Sequence, residues 1–353
     1  MVHRKPTFWI GTLLLAGVFA FGSVPLEAQS GSSAARKTTK APAKRATVRK
    51  APVRKAVARR PQTAAARRAA ATAREMADTV VPRYKVDASG ELVPDLRAAA
   101  AIIYNPETNE VLWEEHSQDQ RSIASITKLM TATVFLENDP DLTQVVTVVR
   151  SDVFRASTTR LIAGDKLRTG DLLHLLLIAS DNAAARALAR VSPHGSVGFI
   201  RRMNEKAAEL GLESTHYADP SGLLSDNVSS AFDMAKLITH VSGDERMSSL
   251  MRTRQDTIHT ARRTITFRNT NHLLERSDLE VMAGKTGFIS KAGYCLATLL
   301  QLPQGGQQVA VVVLGARSNA GRFLETQNLF TWLSSKASTL FATSTPTALR
   351  DQQ

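Results

Sequence analysis

The 353-residue chain has little of what several protein classes need. It contains one cysteine, Cys295, so no disulfide can form within the chain. That cysteine lies in the apolar run AGYCLATLL, which is typical of a small buried hydrophobic residue. The eight histidines form no HxxxH pair and show no other metal-ligand spacing. The sequence therefore predicts no metal site and no cofactor.

Acidic residues are absent from residues 29–74, which carry 14 Lys and Arg. The net charge of +13 arises there, because residues 75–353 hold 29 basic and 31 acidic side chains. Aromatic residues are also absent from this segment, and β-branched residues are few. Such a composition cannot bury enough apolar surface to offset the entropy lost on ordering. We predict a disordered basic leader over residues 29–83, with at most transient helix near residues 63–76.

The N-terminus has the pattern of a secretory signal. His3, Arg4 and Lys5 precede an apolar run over residues 8–22, and the small residue Ala28 follows it. At about 15 residues the run is short for a membrane span, which needs about 20. The sequence predicts a signal peptide over residues 1–28 and a periplasmic protein, with a retained anchor as the alternative.

Two interpretations of the basic leader stay open. It is either a solvated spacer or an electrostatic tether to anionic envelope polymers. Charge alone would also allow nucleic-acid binding. However, the predicted export takes the chain to a compartment without nucleic acid, so no nucleic-acid partner is expected.

Strand patterns stand at both ends of a helix-rich middle. Thr169 is predicted as the N-cap of a leucine-rich central helix. The order predicts an α+β fold, in which an N-terminal hairpin and C-terminal strands form one antiparallel sheet beside a mainly helical second lobe. A catalytic domain is expected over residues 84–340, followed by a flexible tail at 341–353. The patterns predict strands at 98–106, 110–116, 144–149, 264–269, 293–301 and 308–316, and helices at 125–137, 170–180, 182–192, 197–212, 229–243 and 323–337.

The stretch RSIASITKLMTA, residues 121–132, places Lys128 one helical turn after Ser125 among small and apolar residues. A lysine in apolar surroundings is costly unless it is paired or deprotonated. Residues three apart share a helix face, so the amine can reach the hydroxyl. By itself, such a pair also arises easily by chance.

Two further polar groups give this pair a context. Ser180-Asp181-Asn182 follows the apolar helix, and Lys285-Thr286-Gly287 precedes the last strands. Each alone has a structural explanation, the first as a helix stop with an N-cap and the second as a turn. In the order SxxK, SxN, KTG, however, they match the motif set of penicillin-binding proteins and class A β-lactamases.

This constellation suits acyl transfer. Ser125 is predicted to be the nucleophile and Lys128 its base, because burial lowers the pKa of a lysine. Ser180 would relay a proton to the leaving group, and backbone N–H groups of Ser125 and Phe288 would form the oxyanion hole. The predicted substrate-binding residues are Asn182, Lys285, Thr286, Gly287 and Phe288.

Residues 96–336 resemble the low-molecular-mass penicillin-binding proteins, the D-alanyl-D-alanine carboxypeptidase and endopeptidase family. The likeness rests on AAAIIYNPETNEVLWEE, SIASITKLMTA, DPSGLLSDNVSSAFDMAKL, FRNTNHLL and GKTGFISKAGYCLA. With no further C-terminal β-domain, the chain is most similar to the endopeptidase branch represented by penicillin-binding protein 7. The resemblance implies a penicillin-binding/β-lactamase-like fold. It also implies a serine enzyme that cleaves D-Ala–diaminopimelate cross-links of peptidoglycan and is acylated by β-lactams.

Three alternatives remain beside this one. The middle triplet SDN departs from the SGN of many carboxypeptidases, which leaves the choice between endopeptidase and D-alanyl-D-alanine carboxypeptidase open. A class A β-lactamase would need an ExxLN sequence after SDN, and none is present. A non-catalytic wall-binding protein is disfavoured by the intact set of motifs.

Overall fold

The computed structural model describes residues 63–303 and 306–343 of the chain. The predicted signal peptide, the leader up to residue 62 and the tail from residue 344 lie outside the described residues, as do positions 304 and 305 of the predicted turn. Among the described residues, no helix is both long enough and apolar enough to cross a bilayer.

Helices and strands follow one another in nearly the predicted order. The helices are α1 (Ala64–Val80), α2 (Lys128–Leu136), α3 (Arg150–Val153), α4 (Thr169–Leu177), α5 (Asn182–Val191), α6 (Gly195–Glu209), α7 (Ala231–Ser242), α8 (Glu245–Arg252) and α9 (Asn319–Thr343), with 3-10 turns at Ala124–Thr127 and His272–Glu275. The strands are β1 (Tyr84–Val86), β2 (Leu92–Pro94), β3 (Ala100–Asn105), β4 (Glu110–Glu115), β5 (Arg121–Ser122), β6 (Val145–Thr147), β7 (Lys166–Arg168), β8 (Val228–Ser229), β9 (Gln255–His259), β10 (Thr264–Arg268), β11 (Glu280–Ile289), β12 (Gly293–Gln301) and β13 (Gln308–Ala316).

One five-stranded antiparallel sheet organises the fold, in the order β11-β12-β13-β3-β4. The N-terminal hairpin β3–β4 joins the C-terminal strands through the pairing of β3 with β13. This arrangement confirms the predicted α+β fold with a single sheet built from both ends of the domain. β11 and β4 are the two edges, so no other strand of the described residues pairs with the outer side of β11.

Helices cover both faces of this sheet. Successive residues of a strand point to opposite faces. Accordingly Ile102 belongs to the core shared with the helical lobe, and Ile103 belongs to the core beneath α9. Helix α7 packs on the first face and α9 on the second.

The helical lobe is built around α2 and α4. Every residue of α2 is buried, and the leucines of α4 are buried on nearly every side, as their all-round apolar pattern predicts. The prediction for Thr169 is wrong by one position: α4 begins at Thr169, and Arg168 is its N-cap. The hydroxyl of Thr169 donates instead to the carbonyl of Asp141 at 2.8 Å, so it anchors the preceding loop.

The strands differ from what the sequence suggested in two places. Residues 264–268 form β10, but within the described part of the chain this strand pairs with β9 alone, in a hairpin outside the main sheet. Lys285–Gly287, for which a turn was the structural alternative, instead lies inside the ten-residue edge strand β11. The segment EVMAGKTGFI has two glycines and no apolar alternation, so it lacks the usual pattern of a strand.

The structure also differs from the predicted disordered leader over the last part of that segment. Residues 64–80 form helix α1, where at most transient helix is expected from the sequence. The hydroxyl of Thr63 caps it by accepting from the N–H of Ala66 at 3.2 Å, and α1 contacts α9. Alanine has the highest helix propensity, and packing on α9 supplies stabilisation that an isolated segment lacks.

Candidate active site

Ser125 lies in the 3-10 turn that leads into α2, rather than in the α-helix itself as predicted. The preceding residue, Ala124, has a φ of 48°, a left-handed conformation that alanine rarely adopts. Strain of this kind persists only where the surroundings enforce it. The turn leaves Ser125 partly exposed, although its neighbours Ala124 and Ile126 are buried.

Two glycines enforce this turn by letting other backbone segments approach it. A Cβ on Gly222, which has a φ of 77°, would lie 2.1 Å from the carbonyl oxygen of Ala124 and 2.9 Å from the N atom of Ser125. A Cβ on Gly287 would lie 2.6 Å from the oxygen of Ile123 and 3.2 Å from the same N atom of Ser125. Gly287 is thus required by the chain's own packing around the serine, whereas the sequence suggested approach by substrate.

Lys128 lies beneath the serine and is fully buried. Its amine donates to the hydroxyl of Ser125 at 2.8 Å, to Oδ1 of Asn182 at 2.6 Å and to the carbonyl of Ser221 at 2.5 Å. Burial lowers the pKa of Lys128 to about 7, while the negative charges of Asp219 and Asp181 oppose this lowering. The amine next to the serine is therefore poised between its charged and neutral forms near neutrality.

The SDN triplet follows α4 and contacts Lys128 through Asn182. Asn182 uses both ends of its amide within the protein, since Oδ1 accepts from Lys128 and Nδ2 donates to the carbonyl of Ala156 at 2.6 Å. This geometry favours a role in holding Lys128, and the expected contact of the amide with substrate stays a prediction. Ser180 has a φ of 58°, and its hydroxyl accepts from Lys285 at 2.7 Å.

β11 supplies the third motif. The amine of Lys285 is buried and also donates to the carbonyl of Thr286 at 3.1 Å. Burial lowers the pKa of Lys285 well below its ordinary value, and the positive charges of Lys128 and Arg322 act in the same direction. The hydroxyl of Thr286 donates to that of Thr270, 2.7 Å away.

Arg322 on α9 is a site residue that the sequence did not reveal. Its guanidinium is buried and donates to the carbonyls of Gly287 at 3.0 Å and Cys295 at 3.3 Å. Burial lowers the pKa of Arg322 to about 10, which leaves it charged at neutral pH. A lone arginine near the start of an amphipathic helix has no motif spacing, so no pattern in one sequence identifies it.

Ser221 was missed as well. It lies in the segment DPSG, which contributes to the family resemblance but contains no catalytic motif. Its contribution is the backbone carbonyl that accepts from Lys128, and a carbonyl is present at every position of a chain.

These groups converge on a cavity of about 500 Å³. Ser125 and Phe288, whose N–H groups were predicted to form an oxyanion hole, both line it. The ring of Phe288 is half exposed and stacks on Tyr294 at a centroid distance of 4.2 Å. Lys128 and Lys285 are buried beneath the cavity, and its lining includes Ser125, Ser180, Asn182, Thr286, Gly287, Phe288 and Arg322.

A serine hydroxyl bonded to a desolvated lysine at the wall of an open cavity is the arrangement of a serine acyl-transfer enzyme. A family model described as D-alanyl-D-alanine carboxypeptidase, peptidase S11, matches residues 87–318. The chain belongs to this family and is a serine hydrolase.

Relatives of both specificities are similar to the chain. It is 34% identical to a D-alanyl-D-alanine endopeptidase of Escherichia coli, over 68% of this chain and 78% of the relative. A D-alanyl-D-alanine endopeptidase of Pseudomonas aeruginosa is 33% identical, over 69% of this chain and 79% of its own. A D-alanyl-D-alanine carboxypeptidase of Bacillus subtilis is 30% identical, over 62% and 57%.

Solved structures give the same family. The crystal structure of a Streptomyces DD-transpeptidase superposes with a TM-score of 0.63 at 29% identity, covering 68% of this chain and 97% of that one. The penicillin-binding-type fold expected from the sequence is thereby confirmed.

The close approach of Gly222 to the turn that carries Ser125 can be tested with a matched pair of alanine substitutions. Gly222 and Gly90 both have left-handed φ values, but a Cβ at Gly90 would meet nothing within 4 Å. Gly222→Ala should displace Ser125 and lower the rate of acylation by a fluorescent penicillin by about 100-fold. Gly90→Ala should acylate like the unmodified protein, and equal rates in the two variants would contradict this account.

Proposed function

We propose that the protein remodels peptidoglycan as a serine DD-peptidase, cleaving D-Ala–diaminopimelate cross-links through an acyl-enzyme on Ser125. The observation that carries the proposal is the 2.8 Å contact between the amine of Lys128 and the hydroxyl of Ser125 in a site that excludes water from the amine. The two relatives named D-alanyl-D-alanine endopeptidase support cross-link cleavage.

The chemistry follows from this contact. Neutral Lys128 takes the hydroxyl proton as the oxygen of Ser125 attacks the D-Ala carbonyl carbon. N–H groups of Ser125 and Phe288 would stabilise the resulting oxyanion. As the C–N bond breaks, the proton that Lys128 took passes through Ser180 to the leaving amine, which leaves Lys128 neutral again. Water then cleaves the ester with Lys128 again as the base, which releases the shortened stem and regenerates the serine.

The cations of the site fit an anionic substrate. The leaving diaminopimelate unit carries a carboxylate next to the amine that is released. Arg322 offers a permanent charge at the cavity, and Lys285 gains a proton more readily when an anion binds beside it. Thr286 would add a hydroxyl donor at the same edge of β11.

D-alanyl-D-alanine carboxypeptidase activity is the second candidate. The family model carries that description, and the Bacillus subtilis relative is named for it. A free C-terminal D-alanine would present its carboxylate to the same cations. Only the size of the leaving group separates the two reactions.

Digestion of purified muropeptides decides between these candidates. We expect conversion of cross-linked dimers to monomers, and its complete loss in Ser125→Ala because the acyl-enzyme cannot form. Ser225→Ala, on an exposed loop, is the matched control and should retain activity. Release of D-alanine from pentapeptides without dimer cleavage would identify a carboxypeptidase. Unchanged cleavage by Ser125→Ala would refute the proposed nucleophile.

The pKa of Lys128 predicts the pH dependence of acylation. Only the neutral amine can accept the proton of Ser125, so the rate should be high above pH 7 and fall as the pH drops through about 7. Stopped-flow measurement of β-lactam acylation against pH checks this expectation. A rate that is flat across neutrality, or that rises toward acid, is the contrary result.

We further propose a periplasmic location, from the predicted signal, and retention on anionic envelope polymers through the basic leader. Deleting residues 29–74 should release the protein from isolated envelopes, and salt should weaken retention of the full chain. A second variant keeps the length of the leader but replaces the 14 basic residues of 29–74 with glutamine and serine, so it separates the effect of charge from that of leader length. Equal sedimentation of all three proteins would contradict the tether.

A further inference from the structure

Asp181, the middle residue of the SDN triplet, takes part in no step of the mechanism above. It is fully buried and caps α5, because its Oδ1 accepts from the N–H groups of Ala183 at 2.9 Å and Ala184 at 3.0 Å. Its other hydrogen bonds join it to residues outside α5. The hydroxyl of Thr159 donates to it at 2.8 Å, and the N–H of Arg160 donates to its Oδ2 at 2.6 Å.

Those last two donors belong to a segment at the edge of the active site. Ser157 and Thr158 line the same cavity as Ser125, so we name residues 156–160 the wall segment. Ser157 has a φ of 58°, and Arg155 just before it has a φ of 51°. Such left-handed conformations of residues other than glycine need support from their surroundings.

The triplet supplies that support through two adjacent residues. Asn182 donates from its backbone N–H to the carbonyl of Thr158 at 3.0 Å and from its amide to the carbonyl of Ala156 at 2.6 Å. Asp181 adds the bonds to Thr159 and Arg160. Hydrogen bonds to a buried carboxylate are among the stronger ones in proteins, so this contact contributes more than a surface contact of the same geometry.

A second contact supports the wall segment from outside. Arg263, in the turn between β9 and β10, donates to the carbonyl of Arg160 at 2.5 Å and to Asp165 at 2.9 Å. Its side chain is 37% exposed, so water competes for these bonds. The buried contacts with Asp181 and Asn182 therefore fix the wall segment more firmly than Arg263 does, and Asp181 holds its last two residues, Thr159 and Arg160.

We propose that Asp181 is a specificity-determining positioning residue, whose carboxylate fixes the wall segment and so shapes the cavity for an extended peptide substrate. The proposal rests on the proposed function. The cavity is bounded by the wall segment and by β11, and a cross-linked stem peptide must lie between them. Benzylpenicillin is much smaller than a cross-linked stem peptide, so it can reach the serine, its base, the oxyanion donors and the cations with less contact along the wall segment.

Three substitutions separate this role from helix capping. Asparagine caps helices as well as aspartate does, so Asp181→Asn keeps the bonds to Ala183 and Ala184 while its NH₂ group faces the N–H of Arg160. Thr159→Val removes the other donor and leaves Asp181 intact. Thr159→Ser keeps that hydroxyl and serves as the conservative variant.

The readout is cleavage of muropeptide dimers compared with acylation by benzylpenicillin in the same preparations. We expect Asp181→Asn and Thr159→Val to lose about tenfold in kcat/KM for dimers, mainly through KM, with acylation within about threefold of the unmodified protein. Thr159→Ser should restore dimer cleavage. Parallel loss of both activities, or loss of neither, would overturn the proposal.

The pH profile adds an independent check. Asp181→Asn removes a negative charge that raises the pKa of Lys128, so the acid limb of acylation should move to lower pH. Thr159→Val keeps the charge and should leave that limb in place. If Asp181→Asn does not fold, Thr159→Val alone decides the substrate effect. An unmodified protein that forms no penicillin adduct at Ser125 would refute the proposed function. That result differs from parallel loss of both activities and from loss of neither, which would overturn the role of Asp181.

Discussion

The burial of one amine without a carboxylate partner is the constraint on which this site depends. Lys128 is fully desolvated, and its three acceptors are a hydroxyl, an amide oxygen and a backbone carbonyl, all of them neutral. Neutral acceptors replace the hydrogen bonds that the amine would make with water, but they do not balance its positive charge. The ammonium form of Lys128 is therefore destabilised. A directly bonded carboxylate would have kept the lysine charged and unable to accept a proton. The negative charges of Asp219 and Asp181 limit this lowering and keep the pKa of Lys128 near neutrality.

The rest of the fold brings groups from distant parts of the chain to this amine. Gly222 and Gly287 admit two backbone segments to the turn that carries Ser125, and Ala124 takes a left-handed conformation there. Ser180 is held in a similar conformation where the helical lobe meets β11. These two strained positions thus coincide with contacts between the sheet and the lobe, where packing on both sides can enforce them.

Sequence patterns predicted the parts of this structure that depend on local chemistry. Strands at 293–301 and 308–316 have the predicted bounds, and Ser125, Lys128, Ser180 and Lys285 meet in one site. The errors have non-local causes. β11 is a strand because β12 pairs with it, despite its glycines, and β10 finds its partner in β9 rather than in the sheet. Arg322 and the carbonyl of Ser221 join the site through tertiary packing, and the sequence around each has no distinguishing pattern.

The central claim is that Lys128 is neutral for a large part of the time at physiological pH. Nuclear magnetic resonance of the labelled lysine side chain, followed against pH in the free protein, measures this directly. We expect a titration midpoint for Lys128 near 7. A midpoint close to the ordinary lysine value of about 10.4 would contradict it, because the amine would then be charged at neutral pH and unable to act as the base for Ser125.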